Sequence, residues 1–404
     1  MNATLRTLCG KINNIFWTIL IGAFILTGCA SISKRFDADK TFNARDYALA
    51  SQKYEELAQD FKDWKLQIRL GYSYLKTGAY DKSINAFNQA TSYSAYAEPW
   101  ATFYKGLAYL NKGERAKAIE AWEKFQDKNR LSLEREVGKE IKVQKTLLAI
   151  EESEKLAKQA IQNEEKLRHH PPESNSLAIL EYRDLTQERR FQAVNKALCV
   201  MIIADLSKIK SLKLVERIKL QALIQEMKLG QSGLVDKNTA PRFGRLAGVE
   251  KLVIGTSGVE SIQVANSLAS TSEKKVLGSF SLKRPEKEFF HLEKEVVSNI
   301  LNLLKVRLSP DQEKEIRPYH TQNVKAFLHY GQGLIYFDER DFGNARKYFE
   351  MAVQQDPNFS LAKMALENCP GPEARNTIVG ILPENLKNME EMMGMPLEGS
   401  ACGN

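Results

Sequence analysis

The sequence predicts an α+β multidomain chain of 404 residues. An all-α solenoid comes first, a small α/β sandwich follows, and one more helical repeat lies behind it. Three patterns point there. Glycines and aromatics between positions 70 and 125 recur at an offset of 35 residues. From Leu212 to Thr256, β-branched runs alternate with apolar spacings of three and four, which reads as strand, helix, loop, helix, strand. The helical aromatic pattern then returns between Thr321 and Pro357. With 43% hydrophobic residues the chain can bury several cores. Its formal charge of +8 is spread out rather than gathered in a stripe, so nucleic acid is not an expected partner.

The N-terminus sets the address. Arg6 and Lys11 precede an uninterrupted apolar run from Ile15 to Leu26, short for a membrane span and typical of an export signal. Leu26-Thr27-Gly28-Cys29 resembles the lipobox of bacterial lipoproteins. That resemblance implies cleavage between Gly28 and Cys29, removal of residues 1–28, and acylation of Cys29. A transmembrane anchor that happens to end in a cysteine is the alternative. Ala30, rather than Asp, implies the outer membrane of a Gram-negative bacterium, with the protein facing the periplasm. The mature chain would carry 56 basic and 50 acidic residues. Residues 29–37 are then the lipidated cysteine and a short tether.

Residues 38–128 resemble tetratricopeptide repeats. Leu70, Gly71, Tyr74, Gly78, Tyr80, Phe87 and Ala90 fall on that template, and Gly106, Tyr109, Gly113, Ala118, Trp122 and Phe125 repeat it. Tyr47, Ala50, Tyr54 and Leu57 read as a preceding half-repeat. A single repeat cannot bury its apolar face, so the units must stack. By repeat position, the groove that such domains offer to partner peptides would hold Tyr72, Lys76, Trp100, Phe103 and Asn111. Packing of these side chains between repeats is the alternative. Residues 129–172 form a charged helical linker with a thin apolar stripe, stopped at His169-His170-Pro171-Pro172. The histidine pair has no partner at ligand spacing, and no metal or cofactor is expected.

Residues 173–310 read as the α/β sandwich: strands at 177–182, 212–216, 252–254, 262–269 and 275–282, and a closing helix over 289–308. Asp236 or Asn238 would cap the helix that Gly248 ends, and Glu216-Arg217 reads as an ion pair at a helix start. Leu214 to Arg217, Gly230 to Asp236, Gly244 to Gly248 and Leu252 to Gly255 resemble the curli production assembly and transport family (CsgG/HfaB-like). The resemblance implies an envelope-assembly role and self-association. A pore would need long hairpin strands flanked by aromatics. Between Gly255 and Lys287 the strands read as short, and Phe280 is the one aromatic.

Residues 311–368 match the repeat template again through Thr321, Asn323, Ala326, Tyr330, Gly333, Tyr336, Phe342, Ala345, Phe349, Ala352 and Pro357. An isolated repeat would need the α/β domain, the linker helix or the first array to pack against. Residues 369–404 read as a flexible tail in which Cys369 and Cys402 could pair, while Cys199 reads as a core residue. There is no phosphate loop, nucleophile elbow or zinc-protease motif, so an enzyme is not expected. The expectation is a lipid-anchored, protein-binding scaffold for secretion or envelope assembly. A lipoprotein regulator of peptidoglycan synthases is the alternative, and a subunit of an outer-membrane secretion pore is the third reading.

Overall fold

Helical structure begins earlier than the periodicity suggests. The computed structural model describes residues 32–125, 132–184, 189–227, 239–258, 262–285 and 288–372, which fall into two compact units divided after Ile141. In the first unit, α1 covers residues 32–43. It is followed by α2 (Tyr47–Asp60), α3 (Trp64–Lys76), α4 (Tyr80–Tyr93), α5 (Glu98–Asn111) and α6 (Arg115–Glu123). The expected tether is therefore helical from residue 32, and the expected half-repeat is a complete helix pair, α1 with α2.

That first pair lacks the turn glycine of the two pairs that follow it. Each turn between paired helices needs one residue at positive φ: Gly78 at 80° and Gly113 at 84°. Glycine reaches that region without steric cost. The first turn places Arg45 there, at 63°, so the template's glycine is missing. The helix starts are legible: Asp46 caps α2 and Asp63 caps α3, each carboxylate accepting a first-turn N–H. Within pairs, Gly71 and Gly106 leave room for the rings of Phe87 and Trp122, which a Cβ would overlap.

A 31-residue helix, α7 (Ser132–Gln162), and a single turn, α8 (Glu164–Leu167), form the linker segment. In the second unit, β1 (Glu173–Ile179), β2 (Arg183–Asp184) and α9 (Arg189–Leu206) open the α/β domain. Then come β3 (Lys213–Leu214), α10 (Arg217–Glu226), α11 (Ala240–Ala247), β4 (Val249–Gly258), β5 (Ile262–Ser270), β6 (Lys275–Arg284) and α12 (Phe289–Leu304). The sheet order is β3-β1-β4-β5-β6, parallel from β3 to β4 and antiparallel beyond, with β2 alongside β4. Strand alternation divides the core between the two faces. Leu177, Ile179, Val253, Val264 and Leu268 pack with α9 and α12, while Ala178, Leu180 and Leu252 pack with α10 and α11. Gly248 ends α11 in the left-handed region at φ 70°, as expected. The expected caps Asp236 and Asn238 lie outside the described residues.

β4, β5 and β6 are 10, 9 and 10 residues long, longer than expected. They are nonetheless sheet strands: Phe280 and Leu282 lean on the core, and Gly278 admits Leu303 of α12. The chain continues through α13 (Pro310–Ile316), α14 (Val324–Asp338), α15 (Phe342–Gln355) and α16 (Ser360–Asn368). Ser309 and Gln312 form a reciprocal capping box on α13. Cys369 is fully buried, with its thiol against the Phe342 carbonyl, so the ordered repeat includes a residue expected in the tail. Its expected partner Cys402 lies outside the described residues.

Candidate functional site

The array is organised by aromatic packing, and Tyr72, Trp100 and Phe103 follow the packing alternative rather than lining an open groove. Tyr72 is 0% exposed: its ring meets those of Phe42, Tyr47 and Tyr104 at 5.7, 5.5 and 5.0 Å. Phe103 stacks on Trp122, whose indole N–H donates to the Phe103 carbonyl at 3.2 Å, and Trp100 is buried as well. These three side chains hold helices together. At Tyr72 the covering element is α1, which brings Phe42 against its ring. Lys76 is exposed, with its ammonium 5.1 Å from the Tyr72 ring, and Asn111 is half-buried.

A second constellation was not anticipated. Arg217, expected to pair with Glu216, instead points its guanidinium at Asp338, the last residue of α14, at 2.6 and 2.7 Å. Glu216 lies 3.6 Å from Lys219. Lys196 of α9 reaches the same Asp338 carboxylate at 2.6 Å and Glu181 at 2.8 Å. Gln225 donates to the Asp338 carbonyl at 3.1 Å. Two cations and two carboxylates thus meet between the α/β domain and the C-terminal repeat, Lys196 and Asp338 buried and Arg217 and Glu181 partly so. Burial would raise the Asp338 pKa, but Arg217 and Lys196 hold it below the usual carboxylate range. Burial would likewise lower Lys196, and Asp338 with Glu181 hold it above the ordinary ammonium range.

The same junction is apolar around the charges. Ala326, Phe327, Tyr330 and Leu334 of α14 belong to one core with Leu198, Met201 and Ile202 of α9. Phe327 meets Phe289 and Phe290 at 4.7 and 5.8 Å. Gly331 lets the two helices touch: a Cβ there would overlap the Ala193 carbonyl. Arg340 adds a contact to Glu154 of α7 at 2.6 Å, and Lys142 reaches Glu367 at 2.7 Å. The last repeat thus packs on the α/β domain and the linker helix.

A third cluster lies at the other end of α9. Asp205, Glu293 and His320 bring ligand-capable atoms within 4.8 Å of one another, which sequence spacing did not reveal. Lys294 approaches Asp205 at 2.5 Å and Glu293 at 3.2 Å, and Lys208 approaches Asp205 at 2.9 Å. Two ammonium groups already stand where a cation would sit, so these residues form a buried ion network. Burial pushes Glu293 up to about 8, against the pull of Lys294 and with the help of Asp205. Asp205 goes the other way, to about 2. Hydrogen bonds from His320, Lys294 and Lys208 outweigh its burial. Elsewhere, His169 and His170 are exposed at the linker's end, and His170 Nδ1 lies 3.1 Å from the Lys166 carbonyl. On the second sheet face, α7, α10 and α11 leave a groove of about 370 Å³ lined by Leu156, Leu223 and Leu246 among others.

Gly28 and Cys29 lie outside the described residues. Among the described residues no helix is long and apolar enough to cross a membrane. Residues 157–258 match the family model of the curli production assembly/transport component CsgG. That match runs from the end of α7 to the end of β4 and stops before the β5–β6 hairpin. Tetratricopeptide-repeat models match residues 68–130 and 326–359. No curated protein matches the chain. Among solved structures, similarity to the crystal structure of yeast Tom70 has 13% identity and a TM-score of 0.24, covering 83% of this chain. The matched part is 65% of the Tom70 chain, less than two thirds of its length.

Proposed function

We propose, from a CsgG-type domain set between tetratricopeptide repeats, that this protein is a non-catalytic scaffold. In this reading it is anchored through Cys29 to the periplasmic face of the outer membrane and serves secretion or envelope assembly. The observation that carries the reading is the Asp338 junction, where the CsgG-type domain and a repeat share one core. Such a body presents two recognition modules in a fixed relation rather than as beads on a linker. The N-terminal array adds helical surface of the kind that binds protein segments.

A pore-forming role is not part of the proposal. The face of β5 and β6 turned away from α12 carries Ser267, Ser279, Ser281 and Lys283. A lipid-facing strand would need apolar residues there. The test is affinity capture of the full acylated chain after cross-linking in intact cells. Secretion or fibre-assembly components are the expected captures. Recovery of cell-wall synthases instead would replace the scaffold with a regulator of peptidoglycan synthesis.

A further inference from the structure

The first helix leaves two large apolar side chains in the open. Ile32 is 52% exposed and Phe36 is 71% exposed, and their spacing of four places them on one side of α1. The helix cannot roll to hide them, because its other side is fastened. Ala38 and Phe42 are buried, and the Phe42 ring meets Tyr47 at 5.5 Å and Tyr54 at 6.1 Å. Arg35 pairs with Asp63 at 2.5 Å and Asp37 with Lys53 at 2.7 Å, while Asp39 holds Arg69 and accepts from the Tyr54 hydroxyl at 2.6 Å.

We propose that this face of α1 is seated in the headgroup layer of the bilayer that holds the acyl chains of Cys29. The inference rests on the lipid-anchor reading above and adds a second contact to it. Cys29 precedes Ile32 by three residues, which reach at most about 10 Å when extended. Phe36 lies one helical turn further, about 6 Å along the axis. Interfacial helices sink their apolar faces roughly 5–10 Å into the boundary between headgroups and chains. Ile32 and Phe36 are therefore within reach of that layer whenever the anchor is inserted. Lys40, eight residues from Ile32 and four from Phe36, is exposed on the same side of the helix and can extend its ammonium group to a lipid phosphate. Two side chains are too little to bind a membrane alone. Beside an anchor they act at high effective concentration. The consequence is orientation: the helical array is held down on the membrane surface instead of swinging from a tether.

The test replaces Phe36→p-benzoylphenylalanine in the full chain, expressed in a Gram-negative envelope and irradiated in isolated membranes. Tyr96, 63% exposed in the same unit, receives the same replacement as a control. Mass spectrometry is expected to find phospholipid adducts at position 36 and their loss at position 96. An acylated Cys29 with only protein adducts, or none, at position 36 overturns the inference and leaves the anchor standing. An unmodified Cys29 overturns the anchor and the inference with it, whatever adducts form at position 36.

Discussion

Glu293 and Asp205 are neighbouring buried carboxyls whose protonation is pulled in opposite directions. Burial is the larger influence on Glu293, and Asp205 gathers more of the cations. Asp205 takes Lys208, Lys294 and His320, while Glu293 has Lys294 at 3.2 Å. An unfolded Glu titrates near 4.3. With the folded group raised to about 8, the folded state holds the extra proton between those values. Its contribution to stability is therefore full below about 4.3 and is lost as pH rises toward 8. Glu293→Gln mimics the protonated form. Wild type should lose stability between pH 5 and pH 8, at up to roughly 1.4 kcal/mol per pH unit from this group, and the variant should be flatter. Urea midpoints at the two pH values decide it, and equal slopes would refute the account. Asp205 has the opposite sign and matters only in acid, where its contribution is lost as pH falls toward about 2. None of this was legible in the sequence, where Asp205 ends an ordinary apolar stripe and His320 lies 115 residues away.

Among the elements, α14 is the one whose identity was legible and whose place was not. Its template residues marked a repeat helix, and in the structure one of them, Asn323, caps it. Gly331, which the template does not require, is what lets α14 touch α9. In Gly333 a Cβ would meet the Phe349 ring, but in Gly331 it would meet backbone that cannot turn aside. Gly331→Ala is expected to cost about 1–3 kcal/mol in the unfolding of the second unit, as overpacking does. An unchanged urea midpoint would mean that the two helices are not closely packed. The α1–α2 turn carries the converse lesson. Arg45 takes a left-handed position that the template gives to glycine, as Arg340 does between α14 and α15, so the turn forms without its usual residue.

On the scale of the whole molecule, the two units have separate reporters. Trp17 lies in the segment expected to be removed, and Trp64, Trp100 and Trp122 all belong to the first unit. Asp338→Ala strips the counter-charge from partly buried Arg217 and leaves buried Lys196 with Glu181 alone. Breaking a buried pair in this way costs on the order of 3–5 kcal/mol. The loss should appear in the ellipticity transition and leave the tryptophan fluorescence midpoint where it was, since multidomain chains need not unfold in one step. Equal shifts in both signals would show that the chain unfolds as one body.

The sequence by itself determined the succession of modules, the helical repeats at both ends, the strand–helix–loop–helix–strand core and the apolar faces that close it. Those are local matters, written in spacings of two, three and four and in the few residues that cap or turn a chain. Only the tertiary structure decided that Tyr72, Trp100 and Phe103 are packing residues, that Arg217 answers Asp338, and that the last repeat belongs to the α/β core. Lys196 and Arg217 lie 142 and 121 residues from Asp338. A charge buried by a partner that far along the chain leaves no periodic trace, because what selects it is the desolvation it would suffer alone.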